Sequence, residues 1–112
     1  MREVVIAATQ MACSWDIDAN VDRAEALVRQ AAGQGAHVVL IQELFQTPYF
    51  CAEQKNEYRE LAQPMEAHPV IARMQDLARE LQVVMPVSFF ERANMALFNA
   101  VAMIDADGSV LG

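Results

Sequence analysis

Gly35-Ala36-His37-Val38-Val39-Leu40-Ile41-Gln42-Glu43-Leu44-Phe45 joins a glycine-marked turn, an aliphatic run and an abrupt acidic ending. Val38 to Ile41 is too short for a helix, continuous in apolar character and largely β-branched, as expected of a strand covered on both faces. Glu43 lies just past the carboxyl end of that run. In an open α/β sheet, this is the edge where ligands bind.

Toward the amino terminus, Val4 to Ala8 is a second short apolar run, β-branched as expected of a strand covered on both faces, and reads as the first strand. Between the two runs, Val21, Ala24, Leu27, Val28 and Ala31 repeat at helical spacing. Asp18 or Asn20 is expected to cap this helix, Asp22 and Glu25 suit its positive end, and Gly33 and Gly35 suit its termination. Strand, helix, strand in this order predicts a right-handed parallel βαβ crossover.

Residues 46–67 have no sustained period and contain Pro48 and Pro64, with a turn or two of helix expected over Glu53 to Leu61. Connections of this length in compact domains are often functional. Pro69 fits the first position of a second helix, with Ile71, Met74, Leu77, Ala78 and Leu81 as its buried stripe. Val83 to Phe90 reads as a third strand, in which Pro86 implies an edge or a bulge. Leu97 to Ile104 reads as a fourth strand, Asp105-Ala106-Asp107-Gly108 as a turn, and Val110-Leu111 as the opening of a fifth strand.

The 112 residues are enough for one small domain, and 54% hydrophobic against 21% charged residues argues against disorder. The net charge of −7 comes from 15 acidic and 8 basic side chains, with no basic cluster to meet a phosphate backbone. Nucleic acid is therefore not an expected partner, and the acidity is read as solubility. Glu3 offsets Arg2, and Thr9 and Gln10 interrupt the first apolar run, so the beginning does not read as an export signal. No stretch approaches the roughly 20 apolar residues of a membrane span. The expectation is a cytoplasmic protein with no membrane partner. Cys13, Cys51, His37 and His68 lack metal-ligand spacing, so reduced thiols, no metal and no cofactor are expected.

Glu43 is the principal candidate for chemistry. A carboxylate set among Leu44, Phe45 and strand aliphatics would be poorly solvated, which favours general-base behaviour near neutrality. A solvated glutamate leaving a strand would look the same in the sequence. Tyr49 and Phe50 follow closely and are candidates to line a substrate pocket, one with a hydroxyl and the other with an apolar wall. Loop packing accounts for them equally well. Asn99 is read as structural, bonding backbone or a buried strand end, and His37 and His68 are read as ordinary starts of a strand and a helix.

Ala7-Ala8-Thr9-Gln10-Met11 resembles the first-strand motif of the nitrilase superfamily, and Gly35-Ala36 followed by the aliphatic strand and Glu43-Leu44-Phe45 resembles its catalytic-glutamate motif. Asn99 and Ile104-Asp105-x-x-Gly108 fall in the same family's order and spacing, so the resemblance spans essentially the whole chain. Gln42 departs from it, standing where the family usually has proline. Phe45, Tyr49-Phe50-Cys51 and Pro86-Val87-Ser88-Phe89-Phe90-Glu91 look most like the N-carbamoylputrescine amidohydrolases of that superfamily.

The resemblance implies an α/β fold, the N-terminal part of a four-layer α-β-β-α sandwich, with residues 1–112 as a truncated portion of a single domain. It also implies a Glu-Lys-Cys triad with Glu43 as the glutamate, a small ureido or amide substrate, and homo-oligomerisation. For N-carbamoylputrescine, the products would be putrescine, carbon dioxide and ammonia. The family's lysine and cysteine motifs lie beyond residue 112, and Cys13, Cys51 and Lys55 fall in the wrong segments for those roles. The chain alone is therefore expected to be inactive. Two other readings stand beside this one. A nucleotide-binding α/β module is disfavoured because Gly33 and Gly35 follow a helix instead of opening one. A noncatalytic interaction remnant of the same fold would leave an apolar sheet face uncovered.

Overall fold

The computed structural model describes residues 2–112. Ile6–Ala8 forms β1 and Val38–Leu40 forms β2, paired in parallel with Ile6 opposite Val38 and Ala8 opposite Leu40. The helix between them, α1, spans Ile17–Gly33.

Its cap is Asp16, whose Oδ1 accepts the Ala19 N–H at 3.0 Å, and neither Asp18 nor Asn20 takes that place. The reason is in the backbone, which is extended at Asp16 and helical from Ile17 onward. Asn20 turns inward instead. It is fully buried, accepts from the Ser14 N–H, and donates to the carbonyls of Ser14 and Gln46. One buried amide thus ties the loop before α1 to the loop after β2. Gly35, at φ 96°, makes the reversal from α1 into β2 that a side chain would oppose.

The second helix, α2, covers Pro69–Leu81 and begins on its proline as expected. Val70, Ile71, Met74, Leu77 and Ala78 are buried, while Leu81 packs only at the margin. Each large member of that stripe contributes roughly 1.5–3 kcal/mol through burial. The helix ends on Gln82 in the left-handed region, at φ 55°.

β3, Met85–Ala93, and β4, Ala96–Ile104, form an antiparallel hairpin with Met85 opposite Ile104. Val39 donates to Val84 and Val84 donates to His37, both at 2.9 Å, which joins the two ladders in the order β1-β2-β3-β4. In the register set by Val84 opposite Val38, Pro86 falls level with Leu40, the last residue of β2, with its N-side toward that strand. Having no N–H, the proline cannot continue the parallel ladder that Val84 begins, and β2 ends beside it.

Residues 46–67 form three short 3-10 helices, Phe50–Ala52, Asn56–Leu61 and Met65–Ala67, instead of one short helix. They are organised around aromatic contacts: Phe50 lies 4.9 Å from Phe90 and 5.6 Å from Tyr58, and Tyr58 stacks on Trp15. After the turn at Asp105 to Gly108, Leu111 donates to Met103 and Met103 donates to Gly112. The chain is thus returning antiparallel to β4, as expected of a fifth strand's opening.

The core lies on one face of the sheet, where Val39, Met85, Val87, Phe89, Ala102 and Ile104 pack against α1 and α2. The other face is open, with Ile6 75%, Leu40 49% and Val101 56% exposed. This corrects the expectation that β1 and β2 are covered on both faces. Both helices lie on the same side, so the described residues supply one helical layer and one sheet layer. Among the described residues no helix is long and apolar enough to cross a membrane, and no group of side chains is placed to hold a metal ion.

Candidate active site

The strand β2 stops at Leu40, and a turn over Glu43 to Gln46 carries the chain away from the sheet. Leu44 is left-handed there, at φ 49°, and buried. For a non-glycine residue that conformation costs about 1–3 kcal/mol and persists only where the surroundings enforce it. On the β3 side, the Leu44 N–H donates to the Ser88 hydroxyl oxygen at 3.0 Å. Toward β1, Gln42 accepts the Met11 N–H at 2.7 Å and donates to Cys13 Sγ at 3.3 Å, while the Cys13 thiol donates to the Phe45 carbonyl at 3.2 Å. Gln42 therefore anchors by side-chain hydrogen bonds a position where the resembling family relies on a proline.

The turn points Glu43 onto the open face of the sheet. Its Oε1 accepts a hydrogen bond from Asn99 Nδ2 on β4. The two residues share a cavity of about 380 Å³ with Leu40, Pro86, Ser88 and Val101. The expected poorly solvated carboxylate is corrected, because Glu43 is exposed and nothing among the described residues covers that face. The structural reading of Asn99 is corrected as well. Its amide meets the carboxylate and not backbone, because β4 alternation sets Asn99 and Val101 on the open side.

Tyr49 and Phe50 do not line this cavity. Phe50 turns to the opposite side of Leu44, where it borders another cavity of about 260 Å³ with Val70, Leu61 and Phe90. Tyr49 is exposed, and the negative charge of Glu43, followed by that of Cys51, raises its hydroxyl above the ordinary tyrosine range. The smaller cavity is lined by charged as well as apolar groups, among them Asp18, Glu60 and Arg73. Its cation, Arg73, is engaged by Asp22 at 2.7 Å and Glu25 at 3.3 Å. His68 at its edge is buried against the ring of Phe89, and burial lowers its pKa. The cavity that carries a carboxylate aligned by a fixed donor is the one beside Glu43, and chemistry decides between the two where size does not.

Both cysteines are free thiols. Burial pushes the Cys13 thiol up by more than nearby Arg23 pulls it down, the reverse of what an activated nucleophile needs. Ser88, Gln42 and Asn20 were not anticipated as organisers of this region. The available signals were a serine inside an apolar strand and an asparagine inside a helix.

Residues 5–112 match the family model described as carbon-nitrogen hydrolase. The chain belongs to the carbon-nitrogen hydrolase family. It is 57% identical over 111 residues to the N-carbamoylputrescine amidase of Arabidopsis thaliana, which covers 99% of this chain and 37% of that protein. It is also 37% identical over 112 residues to the citrullinase of Francisella tularensis subsp. tularensis, covering 100% of this chain and 39% of that protein. Among solved structures, a carbon-nitrogen hydrolase from Helicobacter pylori G27 superposes with a TM-score of 0.87 at 26% identity, over 97% of this chain and 38% of that one. The chain thus spans less than two fifths of the length of these relatives. Its architecture is α/β and corresponds to part of the nitrilase-type carbon-nitrogen hydrolase fold.

Proposed function

We propose that this chain supplies the glutamate of a Glu-Lys-Cys carbon-nitrogen hydrolase acting on a small ureido substrate, N-carbamoylputrescine, to give putrescine, carbon dioxide and ammonia. The observation that carries this is the Glu43 carboxylate, held by Asn99 in a cavity at the carboxyl end of β2. The similarity to N-carbamoylputrescine amidase supports the substrate, and the weaker similarity to a citrullinase also falls on a protein whose substrate carries a ureido group.

The chemistry follows from what a carboxylate beside a thiol can do. The cysteine attacks the ureido carbon while Glu43 takes its proton, and the lysine stabilises the charge that develops on oxygen. Glu43 returns the proton to the departing nitrogen. Water, deprotonated by the same carboxylate, then attacks the thioester-like intermediate. The sequence consumes one water, and a carbamic acid formed on the way releases carbon dioxide.

In this reading, residues 1–112 are the N-terminal portion of a single domain, and the lysine and cysteine lie outside them. The path of the chain after Gly108 supports that arrangement, because it runs back along β4 toward Asn99. A strand continued in the same direction would draw level with Asn99 roughly four residues past Gly112. That is the region where the resemblance puts the lysine. A homo-oligomer also belongs to this reading, on the family resemblance alone, and a cytoplasmic location is carried over from the sequence as an expectation.

The test is turnover of N-carbamoylputrescine, read as release of putrescine and ammonia. The 112-residue chain is expected to give none. In the full-length product of the gene encoding this chain, Glu43→Gln should lower kcat by about 10²–10⁴-fold without loss of folding. Turnover by the 112-residue chain that Glu43→Gln abolishes, or full activity of the full-length variant, would overturn the proposal.

A further inference from the structure

Ser88 is a polar residue in the most apolar part of β3, between Val87 and Phe89, and it is buried. Its hydroxyl oxygen accepts the N–H of Leu44, whose left-handed backbone forms the turn that carries Glu43. We propose that Ser88 is a positioning residue for Glu43, fixing the Leu44 turn so that the carboxylate is aimed at Asn99 and into the cavity. This rests on the reading of Glu43 as the catalytic carboxylate.

The unfavourable conformation of a leucine at φ 49° has to be enforced from outside. The Cys13 thiol holds the Phe45 carbonyl and the Gln42 side chain holds Met11 and Cys13, so both act beside Leu44. The Ser88 hydroxyl bonds the Leu44 peptide nitrogen itself. With that acceptor removed, a buried N–H facing β3 has no partner, and rotating the Glu43–Leu44 peptide is the available way to relieve it. The same rotation swings the Glu43 side chain away from Asn99.

The two anchors belong to one frame. Ser88 is opposite Val101 and Asn99 is opposite Phe90, so Ser88 and Asn99 are diagonal neighbours on the same face of the hairpin. One anchor holds the backbone that carries the carboxylate, and the other holds the carboxylate. Both move with the rigid β3–β4 ladder, which makes the aim of Glu43 a property of that hairpin. A hydroxyl is small enough for this buried site and accepts where alanine cannot.

The experiment compares Ser88→Ala, Ser88→Thr and Glu43→Gln in the full-length gene product, with N-carbamoylputrescine as substrate and a crystal structure of Ser88→Ala. Ser88→Ala is expected to lower kcat about 10–100-fold while KM changes less than about 3-fold, and Ser88→Thr, which keeps the acceptor, should recover kcat to within about 5-fold of the parent. In the Ser88→Ala crystal structure, Leu44 should leave the left-handed region or Glu43 should part from Asn99. Wild-type kcat in Ser88→Ala, equal losses in Ser88→Ala and Ser88→Thr, or an unchanged Leu44 and Glu43 in the crystal structure would overturn the proposal. An inactive Glu43→Gln beside a fully active Ser88→Ala rejects the role of Ser88 alone, whereas an active Glu43→Gln rejects the reading of Glu43. If Ser88→Ala is not recovered in soluble form, Ser88→Val carries the comparison against Ser88→Thr, which has the same shape and keeps the acceptor: a kcat well below that of Ser88→Thr at unchanged KM supports the role, and equal kcat values reject it.

Discussion

Asn99 donates its side-chain amide to the carboxylate of Glu43, joining the hairpin to the turn after β2 across 56 positions of sequence. In the proposed reaction Glu43 has to present one carboxylate oxygen in a fixed direction, and Asn99 holds the other. Asn99→Ala in the full-length gene product should therefore lower kcat about 10–100-fold with a smaller change in KM, as for other misplacements of a reacting group. Steady-state turnover of N-carbamoylputrescine checks this, and unchanged kcat would remove Asn99 from the site.

His68 makes stability depend on pH. Burial against α2 and Phe89 lowers its pKa in the fold below the ordinary histidine value of 6.5, so the unfolded chain takes up the proton first as pH falls. This contribution to stability is intact above the unfolded value of 6.5, declines as pH falls from there to the depressed native value, and is level below it. The slope within that window is at most about 1.4 kcal/mol per pH unit. Urea midpoints measured between pH 7.5 and 5 should fall less in His68→Gln than in the parent, and parallel curves would count against this account.

Gly108 takes φ 87° in the turn after β4, and a Cβ placed there would lie 2.8 Å from the Gln75 carbonyl oxygen and from the Arg79 guanidinium. The carbonyl belongs to the backbone of α2 and has little room to move. Gly108→Ala should destabilise the protein by about 1–3 kcal/mol, seen as a lower urea midpoint at unchanged slope.

The two thiols should differ in reactivity. Cys51 is exposed, whereas Cys13 is partly buried, bonded to the Phe45 carbonyl and raised in pKa by burial. Iodoacetamide at mildly alkaline pH should alkylate Cys51 well before Cys13. Peptide mapping by mass spectrometry over a time course reads this directly, and preferential labelling of Cys13 would contradict the geometry.

Much of the scaffold was legible because local patterns determine it. The strand at Val38, the helix beginning at Pro69 and the turn at Asp105 each follow from a few adjacent residues, and so does the place of Glu43 at a strand's end. The partner of Glu43 was not legible, since the meeting with Asn99 depends on hairpin register and on the turn at Leu44. The orientation of Phe50 was missed for a related reason: aromatic contacts with Tyr58 and Phe90 draw it to the far side of Leu44. The open sheet face was also hidden, because an aliphatic run such as Val4 to Ala8 reads the same whether one side or both will be covered.

That uncovered face has a bearing on inheritance. Leu40 and Val101 line the cavity that holds Glu43, and Ile6 and Met103 are exposed on the same sheet face, so the segment carries its candidate carboxylate and its adhesiveness on one side. A gene rearrangement that moved this segment into an unrelated protein would bring an exposed, association-prone surface along with the carboxylate. Selection should therefore transmit it only with a covering layer fitted to it, so that the two halves of such a sandwich evolve as one unit.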